Sequence, residues 1–167
     1  MLASVSSAFA HNTDNQPAAA NAAHAAHSAH AAHTAHALHD NAQQVWGKAG
    51  QAAQVSRTIT LRMSDDMRFT PSQLTVKLGE TVRLRVENAG QVMHEIVLGT
   101  ADTLDAHARA MLQQPDMAHG DAFMAHVPPQ KQGELVWTFN RPGQFDFACL
   151  IAGHYQAGMR GSITVMP

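Results

Sequence analysis

The chain has 167 residues, with 11 Lys and Arg, 13 Asp and Glu, 12 His and a formal net charge of −2, which is room for one domain and a tail. Its basic residues are scattered rather than gathered into the stripe that a phosphate backbone demands, so nucleic acid is not expected as a partner. No run approaches the roughly 18 apolar residues that would span a bilayer, and a single cysteine excludes the small domain stapled by internal disulfides.

The opening stretch MLASVSSAFA ends on Ala8-Phe9-Ala10, the small-x-small pattern that precedes a signal-peptidase cut. Residues 1–10 therefore read as the remaining end of an export signal, and the mature protein is expected to be exported. Residues 11–54 are Ala, His, Asn and Gln with almost no large apolar side chain. Such a segment cannot bury enough surface to offset its ordering entropy, so a disordered tail is expected.

Within that tail His24, His27, His30, His33, His36 and His39 recur at every third position. In polyproline II, with three residues per turn, they form one stripe; the alanine content also permits a helix, in which they spiral slowly. Either way the imidazoles crowd together. Neutral imidazole ligates copper, nickel and zinc, and close spacing raises the effective concentration of the next ligand once the first has bound.

From residue 55 to residue 167 the pattern becomes that of a folded domain of short alternating strands. RTITLRM sets Ile59, Leu61 and Met63 on one face, QLTVKL sets Leu74, Val76 and Leu78, and TVRLRVEN sets Val82, Leu84 and Val86. HEIVLG, ELVWTF, QFDFACL and GSITVMP follow, with Gly79, Gly90, Gly143 and Gly161 between runs. That makes seven strands, or eight if the stretch around Arg68-Phe69 pairs, and the length suits an all-β antiparallel sandwich. One insertion breaks the pattern: in TADTLDAHARAMLQQP, Leu104, Ala108, Met111 and Leu112 stand at helical spacing behind a cap at Thr100 or Asp102, and Pro115 stops the run. A short helix crossing one end of the sandwich is expected.

The lone thiol is either an inert core residue or a metal ligand. Cys149 ends a strand, the next begins near Gly161, and His154 and Met159 lie on the loop between, which Gly153 and Gly158 allow to turn tightly. One end of the sandwich can therefore present thiolate, imidazole and thioether to a single point, with His94 at the start of HEIVLG as the fourth donor. Two imidazoles and a thiolate in a trigonal set, with a weak axial thioether, define a mononuclear blue-copper site. A second Met and His segment, DMAHGDAFMAH, repeats Met-Ala-His as Met117–His119 and Met124–His126. Met117, His119, Met124 and His126 thus form a candidate set for additional copper.

FDFACLIAGHYQAGMRGSITV resembles the C-terminal copper loop of the cupredoxins, the plastocyanin, azurin and auracyanin kind. The resemblance implies a Greek-key β-sandwich with His94, Cys149, His154 and Met159 as the ligands of one type 1 copper. Electron carriers of that family commonly follow the first ligand His with Asn, which ties the two ligand loops together; this chain has Glu95. VMHEIVLG is instead similar to the cupredoxins of bacterial copper tolerance, the periplasmic CopI type, and the His-rich leader agrees with that likeness.

The expected function is copper tolerance: the tail captures copper, the sandwich holds one ion, and the redox couple interconverts Cu(I) and Cu(II). The partners are then copper ions and a periplasmic redox or copper-handling protein. The alternative is a soluble electron shuttle whose port is the edge of His154, ringed by Leu150, Ile151 and Tyr155. An enzyme is not expected. By resemblance, multicopper oxidases and copper nitrite reductases wire two coppers through a histidine adjacent to the cysteine, and here the neighbours are Ala148 and Leu150. A chain lacking the tail is expected to bind fewer Cu(II) ions in equilibrium dialysis with its visible spectrum unchanged; an unchanged stoichiometry excludes the tail as a copper site.

Overall fold

A computed structural model describes residues 43–115 and 120–167. Its strands are β1 (Lys48–Ala49), β2 (Arg57–Ser64), β3 (Arg68–Thr70), β4 (Gln73–Lys77), β5 (Thr81–Asn88), β6 (His94–Gly99), β7 (Met124–Val127), β8 (Gln132–Thr138), β9 (Gly143–Ala148) and β10 (Arg160–Met166). One helix, α1 (Ala101–Gln113), separates β6 from β7. Two five-stranded sheets result, in the orders β1-β8-β5-β2-β3 and β4-β10-β9-β6-β7.

The alternating runs become strands because each can turn one face inward. Leu61 and Met63, Leu74 and Val76, and Val82, Leu84 and Val86 are all buried, and they meet Trp137, Phe145, Phe147, Ile163 and Val165 in one core between the sheets. Leu78 does not join them: β4 ends at Lys77, and Leu78 sits 44% exposed at the turn. Ile59 is only half-buried.

The sandwich differs from the expected one in three respects. Ten strands stand among the described residues, not seven or eight, because β1 is too short and β7 too rich in Met and His to show an alternating signature. The sheets are mixed rather than antiparallel, since β2 runs parallel to β5 and β4 parallel to β10. The intervening chain crosses between the sheets, and a return in the same direction forces parallel pairing. The tail boundary also moves. β1 pairs with the end of β8, and the Trp46 carbonyl accepts a hydrogen bond from Trp137 Nε1 at 3.0 Å. The Trp46 ring is buried and meets Phe123 edge-on at 5.5 Å. Residues 44–50 thus belong to the sandwich, and a truncation aimed at the tail histidines has to stop before Gln44. The six histidines themselves lie outside the described residues.

Thr100 caps α1: its side chain accepts from the Thr103 backbone while the Thr103 hydroxyl accepts from Thr100, a closed capping box. Leu104, Ala108 and Met111 are buried as their spacing predicts, but Leu112 is 52% exposed. The helix does not cross an end of the sandwich. It lies on the outer face of β6 and β9, where Leu104, Ala108 and Met111 pack with Val97, Ala148, Leu150 and Tyr155. β6 is consequently buried along its whole length, with Ile96 and Leu98 facing the inter-sheet core and Val97 facing α1. Among the described residues no helix is long and apolar enough to cross a membrane.

Trp46→Ala removes a large buried ring, and a loss of about 3–5 kcal/mol is expected for such a truncation. Chemical denaturation measures it, and a loss under 1 kcal/mol would return Trp46 to the tail.

Candidate metal centre

Three neighbouring strands of the second sheet, β10, β9 and β6, converge at one end of the sandwich. Register pairs Arg160 at the start of β10 with Ala148 at the end of β9, so the chain between them must double back over a short gap. It does so with its own hydrogen bonds. Cys149 N–H donates to Met159 O at 3.0 Å, Met159 N–H to His154 O at 3.1 Å, and His154 N–H to Ile151 O at 2.9 Å. Gly153 and Gly158 have φ of +90° and +94°, the left-handed region where a side chain is strained. From the first sheet Arg68 braces the loop, its guanidinium donating to Ala157 O at 3.0 Å.

The loop brings the predicted donors together. Cys149 Sγ lies 3.3 Å from His154 Nδ1. His94, which opens β6, faces them, with 5.0 Å between the two imidazole centroids. The ligand atoms of His94, Cys149 and His154 all fall within 4.8 Å of one another. Met159, fully buried, is fixed beside Cys149 and His154 by the backbone bonds above.

The donor chemistry fits a metal ion. His94 is 0% exposed; its Nε2 lies 3.1 Å from Asp65 Oδ1, while its buried Nδ1 has no hydrogen-bond partner. An unsatisfied buried nitrogen is costly, and a cation held among His94, Cys149 and His154 answers it. Burial pushes the Cys149 thiol up to about 12, against hydrogen bonds from the backbone N–H groups of Glu95 and Ile151. In this pocket the sulfur keeps its proton until a metal displaces it. Burial, and then the nearby His94, hold the His154 imidazole below its ordinary value, which favours the neutral, ligating form. Asp65 lies below the usual carboxylate range, chiefly because the Gln91 backbone N–H donates to it.

Glu95, the departure from the electron-carrier pattern, still links the ligand loops. Its Oε1 accepts from Leu150 N–H at 2.9 Å, its own N–H donates to Cys149 Sγ at 3.4 Å, and the side chain is 0% exposed. Its Oε2 lies 2.8 Å from Nε2 of His126, its register partner on β7. Of the second Met and His set, His126 is therefore engaged with Glu95, and Met124 is buried in the cluster beneath α1. Met117 and His119 lie outside the described residues. The expected rim of His154 also differs, since Leu150 and Tyr155 are buried. Exposed apolar side chains near the site are instead Val92 and Met93, on the segment leading into His94.

Asp65 and Arg68 escaped the sequence reading because no motif connects Asp65 with His94, 29 positions on, or Arg68 with Ala157, 89 positions on.

A two-sheet sandwich with a convergent His, Cys and His set and an adjoining Met defines a cupredoxin. The family model for copper binding proteins of the plastocyanin/azurin family matches residues 55–166, and the chain belongs to that family. Within it the chain is of the CopI type. It is 47% identical over 125 residues to the copper-resistant cuproprotein CopI of Rubrivivax gelatinosus, covering 75% of this chain and 76% of that protein. It is also 39% identical over 153 residues to the CopI of Pseudomonas aeruginosa, covering 74% and 84%. Among solved structures auracyanin B matches with a TM-score of 0.62 at 23% identity, covering 72% of this chain and 96% of that one. An azurin of Methylomonas sp. strain J gives 0.54 at 16%, covering 68% and 100%. These two show the fold.

Cys149→Ser is expected to abolish the intense visible absorption of the copper-loaded protein while far-ultraviolet circular dichroism keeps the sandwich signature. Retained colour would exclude the assigned ligand set.

Proposed function

We propose that this chain is a periplasmic copper-tolerance protein with one type 1 copper, which His94, Cys149, His154 and Met159 would hold. The observation that carries the reading is the trio of converging donors, His94 and Cys149 buried and His154 partly so, with the His94 Nδ1 left for a metal. The CopI relatives, described as copper-resistant, add the physiological direction. Bound copper supplies a one-electron couple between Cu(II) and Cu(I). The chain's own residues supply a fixed frame: hydrogen bonds across the loop, the Arg68 brace and the Glu95 link hold the donors in place in either oxidation state, so little reorganisation accompanies electron exchange. The tail histidines serve as a capture segment that raises local copper.

The protein acts as a binding and redox protein rather than an enzyme. Cys149 is flanked by Ala148 and Leu150, which offer no imidazole route to a second, catalytic copper.

A specific observation favours electron shuttling as the second reading. His154 is only partly buried, and Val92 and Met93, 42% and 39% exposed, give the same region an apolar surface suited to brief docking. Deletion of the gene separates the two readings. Tolerance predicts growth failure on excess copper, restored by the intact chain and not by Cys149→Ser, whereas a respiratory or photosynthetic defect at ordinary copper with normal copper resistance would favour the shuttle.

A further inference from the structure

Asp65 belongs to the first sheet, in the turn between β2 and β3, whereas the four proposed ligands belong to the second. Its carboxylate spans the gap. Oδ1 lies 3.1 Å from His94 Nε2, and Oδ2 accepts the Gln91 backbone N–H at 2.7 Å. The segment that donates to Asp65 is pinned from its other side by Asn88, whose Oδ1 accepts from Gly90 N–H at 2.9 Å and whose Nδ2 donates to Val92 O and Val127 O, each at 2.8 Å. Gly90 leaves the space the carboxylate needs, for a Cβ there would stand 1.8 Å from Asp65 Oδ1. Two independent features, a two-point carboxylate anchor and a residue without a side chain beneath it, thus aim one anion at one imidazole.

We propose that Asp65 is the positioning residue of the metal centre: by accepting the Nε2 proton of His94 it leaves the Nδ1 lone pair facing Cys149 and His154, and its charge favours Cu(II) over Cu(I). The inference rests on the copper reading of this site. A neutral imidazole carries its proton on one nitrogen only. On Nδ1 that proton would occupy the coordinating position and would set an Nε2 lone pair against carboxylate lone pairs. On Nε2 it satisfies Asp65 and frees the buried nitrogen. A carboxylate hydrogen-bonded to the outer nitrogen also makes the inner one a stronger donor, and loss of such partners typically lowers metal affinity about 10–100-fold. The more highly charged Cu(II) gains more from that donor than Cu(I) does.

Asp65→Asn keeps an oxygen that can accept from Nε2–H and removes the charge; Asp65→Ala removes both. In the copper-free protein, nitrogen-15 NMR of the His94 ring is expected to show the Nε2–H tautomer in the wild type and in Asp65→Asn, and a mixture of tautomers in Asp65→Ala. In the copper-loaded protein both variants are expected to keep the thiolate absorption band and to lose Cu(II) relative to Cu(I) affinity by tenfold or more, a rise in reduction potential of about 59 mV per tenfold for one electron. Asp65→Glu is expected to recover part of that shift. Gly90→Ala, which leaves Asp65 in the chain but fills its place, is expected to behave as Asp65→Ala and decides the matter should that variant fail to fold. Wild-type tautomer and wild-type potential in Asp65→Ala and Gly90→Ala would overturn the inference and leave the copper reading intact. A colourless copper-loaded wild type would instead remove the copper reading, and the tautomer of the copper-free protein would still decide whether Asp65 positions His94.

Discussion

The backbone hydrogen bond from Cys149 to Met159 is the closure on which the site depends. It is the point at which β9 hands over to β10, and the strand register behind it leaves little freedom in where the sulfur can sit. Because the closure lies in the sheet interior, the thiol is buried and its proton is held tightly. Burial does two things at once. It makes the metal-free sulfur unreactive, and it makes a cation the one species that draws out the thiolate at neutral pH.

Two carboxylates frame the donors from opposite sides. Asp65 reaches His94 from the first sheet, and Glu95 reaches across to the Cys149 loop from β6. The Glu95 arrangement shows how a change of residue type can preserve a mechanical link while altering electrostatics. A carboxyl oxygen accepts the Leu150 N–H as an amide oxygen would, and it brings a second, titratable oxygen into a position with no exposure. Its pairing with His126 is the accompanying adjustment on β7, and it gives that histidine a structural task beside the one its sequence neighbours suggested.

The helix serves the same end of the molecule. By covering the outer face of β6 and β9 it buries Leu150 and Tyr155 next to the ligands, while Arg160 stacks over the Tyr155 ring at 4.2 Å. The loop carrying His154 is thus packed from below and braced from the side by Arg68, and Val92 and Met93 are left as the exposed apolar side chains beside it. A rigid floor with a limited opening is what the proposed copper-binding and electron-exchange role requires.

The sequence by itself determined the strand pattern, the capped helix and the four candidate ligands, because each is written in local terms: alternation with a period of two, a Thr at a helix start, and donors spaced along one loop. It did not reveal β1, since Trp46 and Val45 are the only large apolar residues in their stretch, and Trp46 joins the core only against Phe123 and Trp137, both far along the chain. Nor did it reveal the parallel pairings, which depend on how the chain crosses between sheets. Asp65 and Arg68 were illegible for the same reason. Their partners, His94 and Ala157, are brought to them by packing one sheet on the other, a contact that no spacing along the chain encodes.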